Sequence, residues 1–143
     1  MRILQMAMVA GLSLAGMASA GGQAALSPAI LAGQWSGAVV EPAADLHYDM
    51  VAQIAPRTDA QGRFAQVRYT NDVGCDVEWF LIGQTARTLS VQERVLDGPC
   101  VDVKLELSLD RSGPRPVLRV VSHDDAEGNT LPEITLQAEL VRR

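Results

Sequence analysis

The chain has 143 residues, of which 20% are charged and 4% are aromatic, and its formal net charge is −5. A chain of this length builds one domain with a hydrophobic core of useful size. Because acidic residues outnumber basic ones, the composition argues against nucleic acid and against an anionic membrane surface as partners.

Residues 1–20 have the pattern of a secretory signal peptide. Arg2 supplies the positive start, a mostly apolar stretch follows, and Ala18, Ser19 and Ala20 give the small residues that a signal peptidase needs. The alternative is a membrane anchor, but the apolar run is shorter than the roughly 20 residues that cross a bilayer. We therefore expect an exported protein, periplasmic or extracellular, whose mature part is residues 21–143.

Residues 21–32 form an N-terminal arm and a short turn ahead of the main domain. Ser27 is typical of a helix N-cap, and Pro28 suits the first helical position. The sequence predicts a single helical turn that stops at Gly33. The main domain then occupies residues 33–143.

After Gly33 the hydrophobic residues recur at every second position, which is typical of β-strands with one buried face. This alternation predicts eight strands over residues 35–40, 46–54, 65–70, 75–81, 89–95, 101–109, 116–122 and 134–141. The segments between them are short and rich in Gly, Asp, Asn and Pro, so consecutive strands are expected to be antiparallel neighbours.

The predicted fold class is therefore all-β, with an eight-stranded antiparallel up-and-down barrel as its architecture. Closure is favoured because it removes exposed strand edges. A β-sandwich of seven or eight strands is the alternative.

Cys75 and Cys100 are the two cysteines of the chain and are expected to form one disulfide. An isolated pair in an oxidising compartment usually becomes oxidised, whereas a metal site needs more ligands and a redox pair needs the C-x-x-C spacing. In a meander, the loops before the fourth and sixth strands lie at the same end of the barrel. The bridge is expected to join these loops and to contribute about 3 kcal/mol.

Glu93 is the one position that breaks the alternation, since it shares its face with the inward residues Leu89, Val91 and Val95. A buried carboxylate needs a partner or a wet barrel mouth. One interpretation is a structural pair with an Arg or with a Tyr hydroxyl. The other is a polar anchor for a ligand inside the barrel, with three aromatic neighbours: Tyr48, Tyr69 and Trp79.

The sequence contains no arrangement of residues typical of catalysis, and we predict that the protein is not an enzyme. It has two histidines and no motif for a serine nucleophile, a zinc protease, a phosphate loop or a redox pair. An acidic run (His123, Asp124, Asp125 and Glu127) is more typical of a solvated hairpin loop than of a metal site. Neither a metal nor a cofactor is expected.

The segment from Leu31 to Gly37 contains Gly33-Gln34-Trp35 and resembles the Gly-x-Trp signature that opens the first strand of lipocalin-like (calycin) barrels. In that family the Trp closes one end of the barrel beside a basic residue of the last strand. The resemblance implies that Trp35 closes the barrel, with Arg142 or Arg143 as the base. The alternative for Trp35 is an ordinary core residue.

The start of the mature chain is also similar to periplasmic inhibitors of secreted alkaline metalloproteases, which are small barrels with one disulfide and an arm that enters the protease cleft. Residues 21–26 match that arm, although the cysteines of the family lie nearer the N-terminus. A third likeness, to uncharacterised extracytoplasmic bacterial domains, implies no activity and is carried by these residues: Gly33, Trp35, Gly37, Tyr69, Cys75, Trp79, Glu93, Arg94, Val95, Gly98 and Cys100.

Two functions follow as hypotheses. The first is a lipocalin-like binding protein that holds a small hydrophobic or amphipathic molecule in the barrel mouth, with Glu93 as its anchor. The second is a periplasmic inhibitor of secreted proteases that presents residues 21–26 as an arm.

Overall fold

The computed structural model describes residues 24–143, so the predicted signal peptide and residues 21–23 of the arm lie outside the described residues. A short helix, α1 (Pro28–Leu31), is followed by eight strands. They are β1 (Gly33–Glu41), β2 (Leu46–Ile54), β3 (Arg63–Thr70), β4 (Cys75–Gln84), β5 (Thr88–Asp97), β6 (Lys104–Asp110), β7 (Val117–Ser122) and β8 (Leu136–Arg142).

Each strand pairs with the next in antiparallel fashion, and β8 pairs with β1, so the sheet closes into an up-and-down barrel. The predicted architecture is confirmed, and the β-sandwich alternative is wrong. Closure requires a glycine at position 37, because a Cβ there would overlap the backbone carbonyl of Glu139 on β8. Within residues 24–143 no helix has the length and apolar character to cross a bilayer.

The inward face of the barrel is filled by the residues that the alternation placed there. Trp35, Val39, Met50, Ala52, Val67, Val77, Leu89, Val91, Leu105, Leu107, Leu118, Val120, Ala138 and Leu140 are all buried. Branched aliphatic side chains dominate this set, and an eight-stranded barrel is narrow enough for side chains to fill. The barrel therefore has a packed core over most of its length.

β2 has the predicted bounds, and each of the other seven strands differs from its prediction by one to three residues at one end or both. β6 begins at Lys104 rather than at 101, because the Asp102 side chain, not a strand backbone, accepts the hydrogen bond from the Val95 amide. β8 begins at Leu136 rather than at 134. The helical turn ends at Leu31, and Ser27 lies at its N-cap without a capping side-chain hydrogen bond.

A register shift between Arg63 and Ala65 places Phe64 in the core, where the alternation does not predict it. Bulges insert an extra residue into one strand and so let two consecutive side chains turn inward. Phe64 and Ala65 are accordingly both buried, and Phe64 packs beside Trp79 with ring centroids 6.3 Å apart.

One end of the barrel, where β1 starts and β8 ends, is closed. Trp35 is fully buried there, and its indole Nε1 donates to the carbonyl of Leu31 in α1 at 2.7 Å. The Arg142 guanidinium lies over the Trp35 ring, 4.4 Å from its centroid, and donates to the carbonyls of Ile30 and Ala32. Of the two arginines named above, Arg142 therefore covers this end.

Candidate functional site: the open mouth of the barrel

The opposite end of the barrel holds a cavity of about 320 Å³. This open mouth lies between the loops that join β1 to β2, β3 to β4, β5 to β6 and β7 to β8. Its lining combines apolar side chains with two carboxylates and two phenols: Glu41, Leu46, Tyr48, Tyr69, Val73, Glu93, Pro99, Cys100, Val101, Val103, Ala126 and Leu136.

Glu93 lies at the inner end of the mouth and is 2% exposed. Its Oε1 accepts two hydrogen bonds, one from the Tyr69 hydroxyl at 2.6 Å and one from the Trp79 indole Nε1 at 2.9 Å. The structural pair with a tyrosine hydroxyl, the first of the two interpretations above, is therefore present. Trp79 holds the carboxylate from the core side, and Tyr69 holds it from the wall.

The second oxygen of Glu93, Oε2, receives no hydrogen bond from any side chain between residues 24 and 143. In the same part of the chain, no side-chain oxygen is both sealed from solvent and without a partner. Because Glu93 lines the cavity, Oε2 is the atom that keeps contact with it. The two oxygens thus differ: Oε1 accepts two hydrogen bonds, whereas Oε2, which is not sealed from solvent, accepts none from the described residues.

Burial raises the pKa of Glu93 to about 7, and the hydrogen bonds from Tyr69 and Trp79 offset that rise only in part. The negative charges of Asp102 and Glu41 add to the rise. A carboxyl group that loses water is harder to ionise, and nearby carboxylates act in the same direction. Glu93 therefore changes its charge near neutral pH.

Glu41, at the end of β1, is the second carboxylate of the mouth. Its Oε2 accepts a hydrogen bond from the Tyr48 hydroxyl at 2.6 Å. Burial, together with the bond to Glu41, raises the pKa of Tyr48, and burial beside Glu93 raises that of Tyr69. Both phenols are therefore neutral, and each donates a hydrogen bond to a carboxylate.

The two phenol rings meet edge to face, with centroids 5.4 Å apart and planes at 83°. Aromatic pairs favour this arrangement because the positive edge of one ring meets the negative face of the other. The contact fixes Tyr48 against Tyr69. The two carboxylate–phenol pairs are therefore held side by side across β2 and β3.

The lining is acidic, since its described residues include Glu41 and Glu93 but no Lys, Arg or His. Its rim is apolar: Leu46 is 40% exposed and Val101 is 44% exposed. Exposed aliphatic side chains around a concave site are common where a ligand or a partner binds. The mouth thus combines an apolar entrance with acidic groups inside.

The disulfide between Cys75 and Cys100 braces one wall of the mouth. The predicted pairing is confirmed, and the two Cα atoms are 6.2 Å apart. Gly98 approaches this bridge closely: its φ is 101°, and a Cβ there would overlap the carbonyl of Gly74. Cys100 and the neighbouring Pro99 and Val101 are thereby held in place as lining residues.

Three of the four ligand-binding residues predicted from the sequence line the mouth, namely Tyr48, Tyr69 and Glu93. Trp79 does not line it: the side chain lies below, fully buried, and contributes through its bond to Glu93. Sequence reasoning missed Glu41. The signal was available, because Glu41 shares the inward parity of Trp35 and Val39 on β1.

The acidic loop between β7 and β8 is stabilised by hydrogen bonds within the loop and by one from β6. The Asp125 carboxylate accepts from the amides of Glu127 and Asn129, and Asp124 accepts from the amide of Lys104. Across residues 24–143, no group of three or more His, Cys, Asp or Glu side chains is placed to hold a metal ion. These bonds account for the acidic residues as turn-forming groups.

Other concave regions lie on the outside of the barrel. Two of them, each of about 510 Å³, are lined by outward-facing residues such as Arg68 and Leu96, or Arg119 and Gln137. They are larger than the mouth, but the charged side chains that line them are at the surface. The mouth is the better candidate because Tyr48, Tyr69 and Glu93, three of the polar side chains that line it, are buried.

Comparisons with known proteins add no relatives. No protein-family model matches the chain, and neither curated proteins nor solved structures give a significant match.

Proposed function

We propose that this chain is an exported, non-enzymatic binding protein of lipocalin-like type that holds a small amphipathic molecule in the open mouth. The observation that carries the proposal is the cavity itself, which is lined by apolar side chains and contains one buried carboxylate with an unbonded oxygen. Ligand sites are typically concave and mostly apolar, with a few placed polar groups and volumes of roughly 300–1,000 Å³.

The size of the mouth limits the ligand. Below Glu93 the barrel is filled by large side chains, among them Trp79, Phe64 and Met50. A volume of about 320 Å³ lies at the lower end of the range for ligand sites. The ligand is therefore a small molecule or the end of a longer one, rather than a group that fills the whole barrel.

The lining supports binding rather than catalysis. Its titratable groups are two carboxylates and two phenols, and the sulfur of Cys100 is in the disulfide. Covalent catalysis needs a nucleophile beside a base. Among the described lining residues no such pair occurs, since the phenols are neutral hydrogen-bond donors to the carboxylates.

Export is part of the proposal and is supported by the disulfide, since such bridges persist in oxidising compartments. A stable bridge at the rim keeps the mouth in one shape. Binding then costs less conformational entropy, because the wall is already ordered.

The test is a titration of the mature, oxidised domain with N-phenyl-1-naphthylamine, a neutral dye that fluoresces in apolar sites. We expect saturable binding that Val103→Phe abolishes, because this substitution fills the mouth from its wall. Val141→Phe, on the outer face of β8, is the matched control and should bind the dye as the parent does. Absence of saturable binding, or equal binding by both variants, would contradict the proposal.

The second candidate is a periplasmic inhibitor of secreted proteases that presents residues 21–26 as an arm. In its favour, Ala24 and Ala25 are exposed while Leu26 is buried and tied to β4 and its following loop through Gln84 and Ala86. An arm would thus leave the closed end from a fixed root and would not include Leu26. Deleting residues 21–25 should abolish inhibition of proteases secreted with the protein, and an unchanged inhibition would reject this candidate.

A further inference from the structure

We infer that the ligand of the open mouth is an amphipathic primary amine, bound as its ammonium ion with the nitrogen against Oε2 of Glu93 and its hydrocarbon part toward Leu46 and Val101. This inference rests on the proposed function and names the chemical class of the ligand. It follows from which polar atoms of the mouth are still available after the internal hydrogen bonds are made.

When Glu93 is ionised, the side-chain atoms of the mouth that are still available are all acceptors. Tyr69 and Tyr48 each use their single hydroxyl hydrogen in a hydrogen bond to a carboxylate, that of Glu93 and that of Glu41 respectively. A phenol that has donated its proton retains acceptor capacity only, and an ionised carboxylate has no proton to give. The mouth therefore presents hydrogen-bond acceptors, and a complementary ligand has to supply N–H or O–H donors.

Charge selects among possible donors. Glu41 and Glu93 face the cavity, Asp102 adds its negative potential at Glu93, and no basic side chain of the described lining balances them. The nearest cationic residue along β5, Arg94, is exposed on the outer face and stacks on Phe80. A buried carboxylate without a cation is costly, so a ligand that supplies the cation is favoured over a neutral one.

An ammonium group fits this inventory because it is a donor only, with three N–H bonds and no acceptor. A hydroxyl group satisfies one lone pair and brings no charge. A carboxylate brings acceptors and a negative charge into a site that already has both. Affinity for molecules with the same tail should therefore fall from amine to alcohol to carboxylate.

The experiment compares octylamine, octanol and octanoate by calorimetric titration of the oxidised domain at about pH 8. Octylamine should bind about tenfold to a hundredfold more tightly than octanol, the ratio expected for one charge-assisted hydrogen bond. Octanoate should bind most weakly. Equal binding of the three compounds would overturn the inference and leave the proposed function standing, whereas binding of none would overturn both.

Two variants assign the preference to the mouth. Glu93→Gln retains an oxygen that accepts from Tyr69 and Trp79, and it should abolish the preference for the amine while octanol binding persists. Glu41→Gln, nearer the rim, should reduce the preference by a smaller factor. Glu106→Gln, exposed on β6, is the matched control with no expected effect. An unchanged amine preference in both mouth variants would overturn the inference even if one variant were poorly folded.

The pH dependence separates the amine from the alcohol. Between about pH 5 and about 7, ionisation of Glu93 should raise octylamine affinity by about tenfold per pH unit, and the rise should end above the pKa of about 7. Among the described residues, the groups that hydrogen-bond to Glu93 or act on it through their charge are Tyr69, Trp79, Glu41, Asp102 and Tyr48, none of which supplies a competing cation. Octanol affinity should not rise over this range, and a parallel rise for both compounds would contradict the assignment.

Discussion

The two ends of this barrel differ in how their polar side chains are hydrogen-bonded. At the closed end, the buried indole of Trp35 and the exposed guanidinium of Arg142 both donate to backbone carbonyls of α1 and of Ala32 beside it. At the open mouth, the two carboxylates accept hydrogen bonds from the phenols and the Trp79 indole, and Oε2 of Glu93 has no hydrogen-bond partner among residues 24–143. We infer that the closed end serves stability, and under the proposed function the mouth is the end that binds a ligand.

The largest loss in the free energy of unfolding is expected from removing the side chain that closes the barrel. Trp35→Ala removes a fully buried indole and its bond to Leu31, and such substitutions cost about 3–5 kcal/mol. Urea denaturation measures the loss in the free energy of unfolding. A loss below about 1 kcal/mol would show that the closed end contributes little to stability, contrary to the comparison.

The disulfide at the mouth should contribute slightly less to the free energy of unfolding than Trp35 does. Replacing Cys75 and Cys100 together by Ala opens a span of 25 residues, for which the loop-entropy estimate is about 3 kcal/mol. The barrel should still fold, because its strands close without the bridge, but the midpoint of urea denaturation should fall and dye binding in the mouth should weaken. An unchanged midpoint would mean that the loops are held by packing alone.

Ionisation of Glu93 makes stability depend on pH. The folded-state pKa of about 7 lies above the ordinary value of 4.5, so the folded protein binds the proton more tightly than the unfolded chain does. The stabilisation is therefore complete below about pH 4.5 and is lost as the pH rises through about 7. The expected loss is up to about 3 kcal/mol.

Glu93→Gln should remove this pH dependence, because the amide does not titrate and still accepts from Tyr69 and Trp79. Denaturation at several pH values between about 4.5 and 8 tests the prediction. If the variant and the parent lose stability in parallel over this range, another group is responsible.

The smallest loss of stability is expected from substituting the arginine that covers the closed end from outside. Arg142→Met keeps an apolar contact with Trp35 but loses the bonds to Ile30 and Ala32, at a cost of about 1 kcal/mol. Arg143→Met is the matched control, since Arg143 bonds only to the Ser36 hydroxyl through its side chain and is exposed. Equal losses in the two variants would show that the position of Arg142 over the indole is not important.

Much of the fold follows from the alternation of apolar and polar residues. It predicts the eight strands, their order and the inward direction of Glu93, because the side-chain period of a strand assigns each residue to a face. It does not predict Phe64, whose burial depends on a local bulge, or the late start of β6, where the Asp102 side chain replaces a strand bond.

The candidate site was only partly predictable. Parity places Tyr48, Tyr69 and Glu93 on the inner face, and the same rule applied to β1 would have added Glu41. It does not show that Tyr69 and Trp79, 24 and 14 residues from Glu93, both donate to the same oxygen. That choice depends on barrel curvature and on side-chain rotamers, and it leaves the other oxygen without a hydrogen bond from the described residues.

The proposal that an amine binds in the open mouth is tested most directly by locating the bound ligand. Octylamine is titrated at about pH 8 into the isotopically labelled, oxidised domain, and amide and methyl chemical shifts are followed by nuclear magnetic resonance. The account predicts saturable shifts at the mouth, strongest for Tyr69, Glu93, Val103 and Leu136, with the signals of Trp35 and Leu31 unchanged. Shifts confined to the outer wall or to the closed end would contradict it.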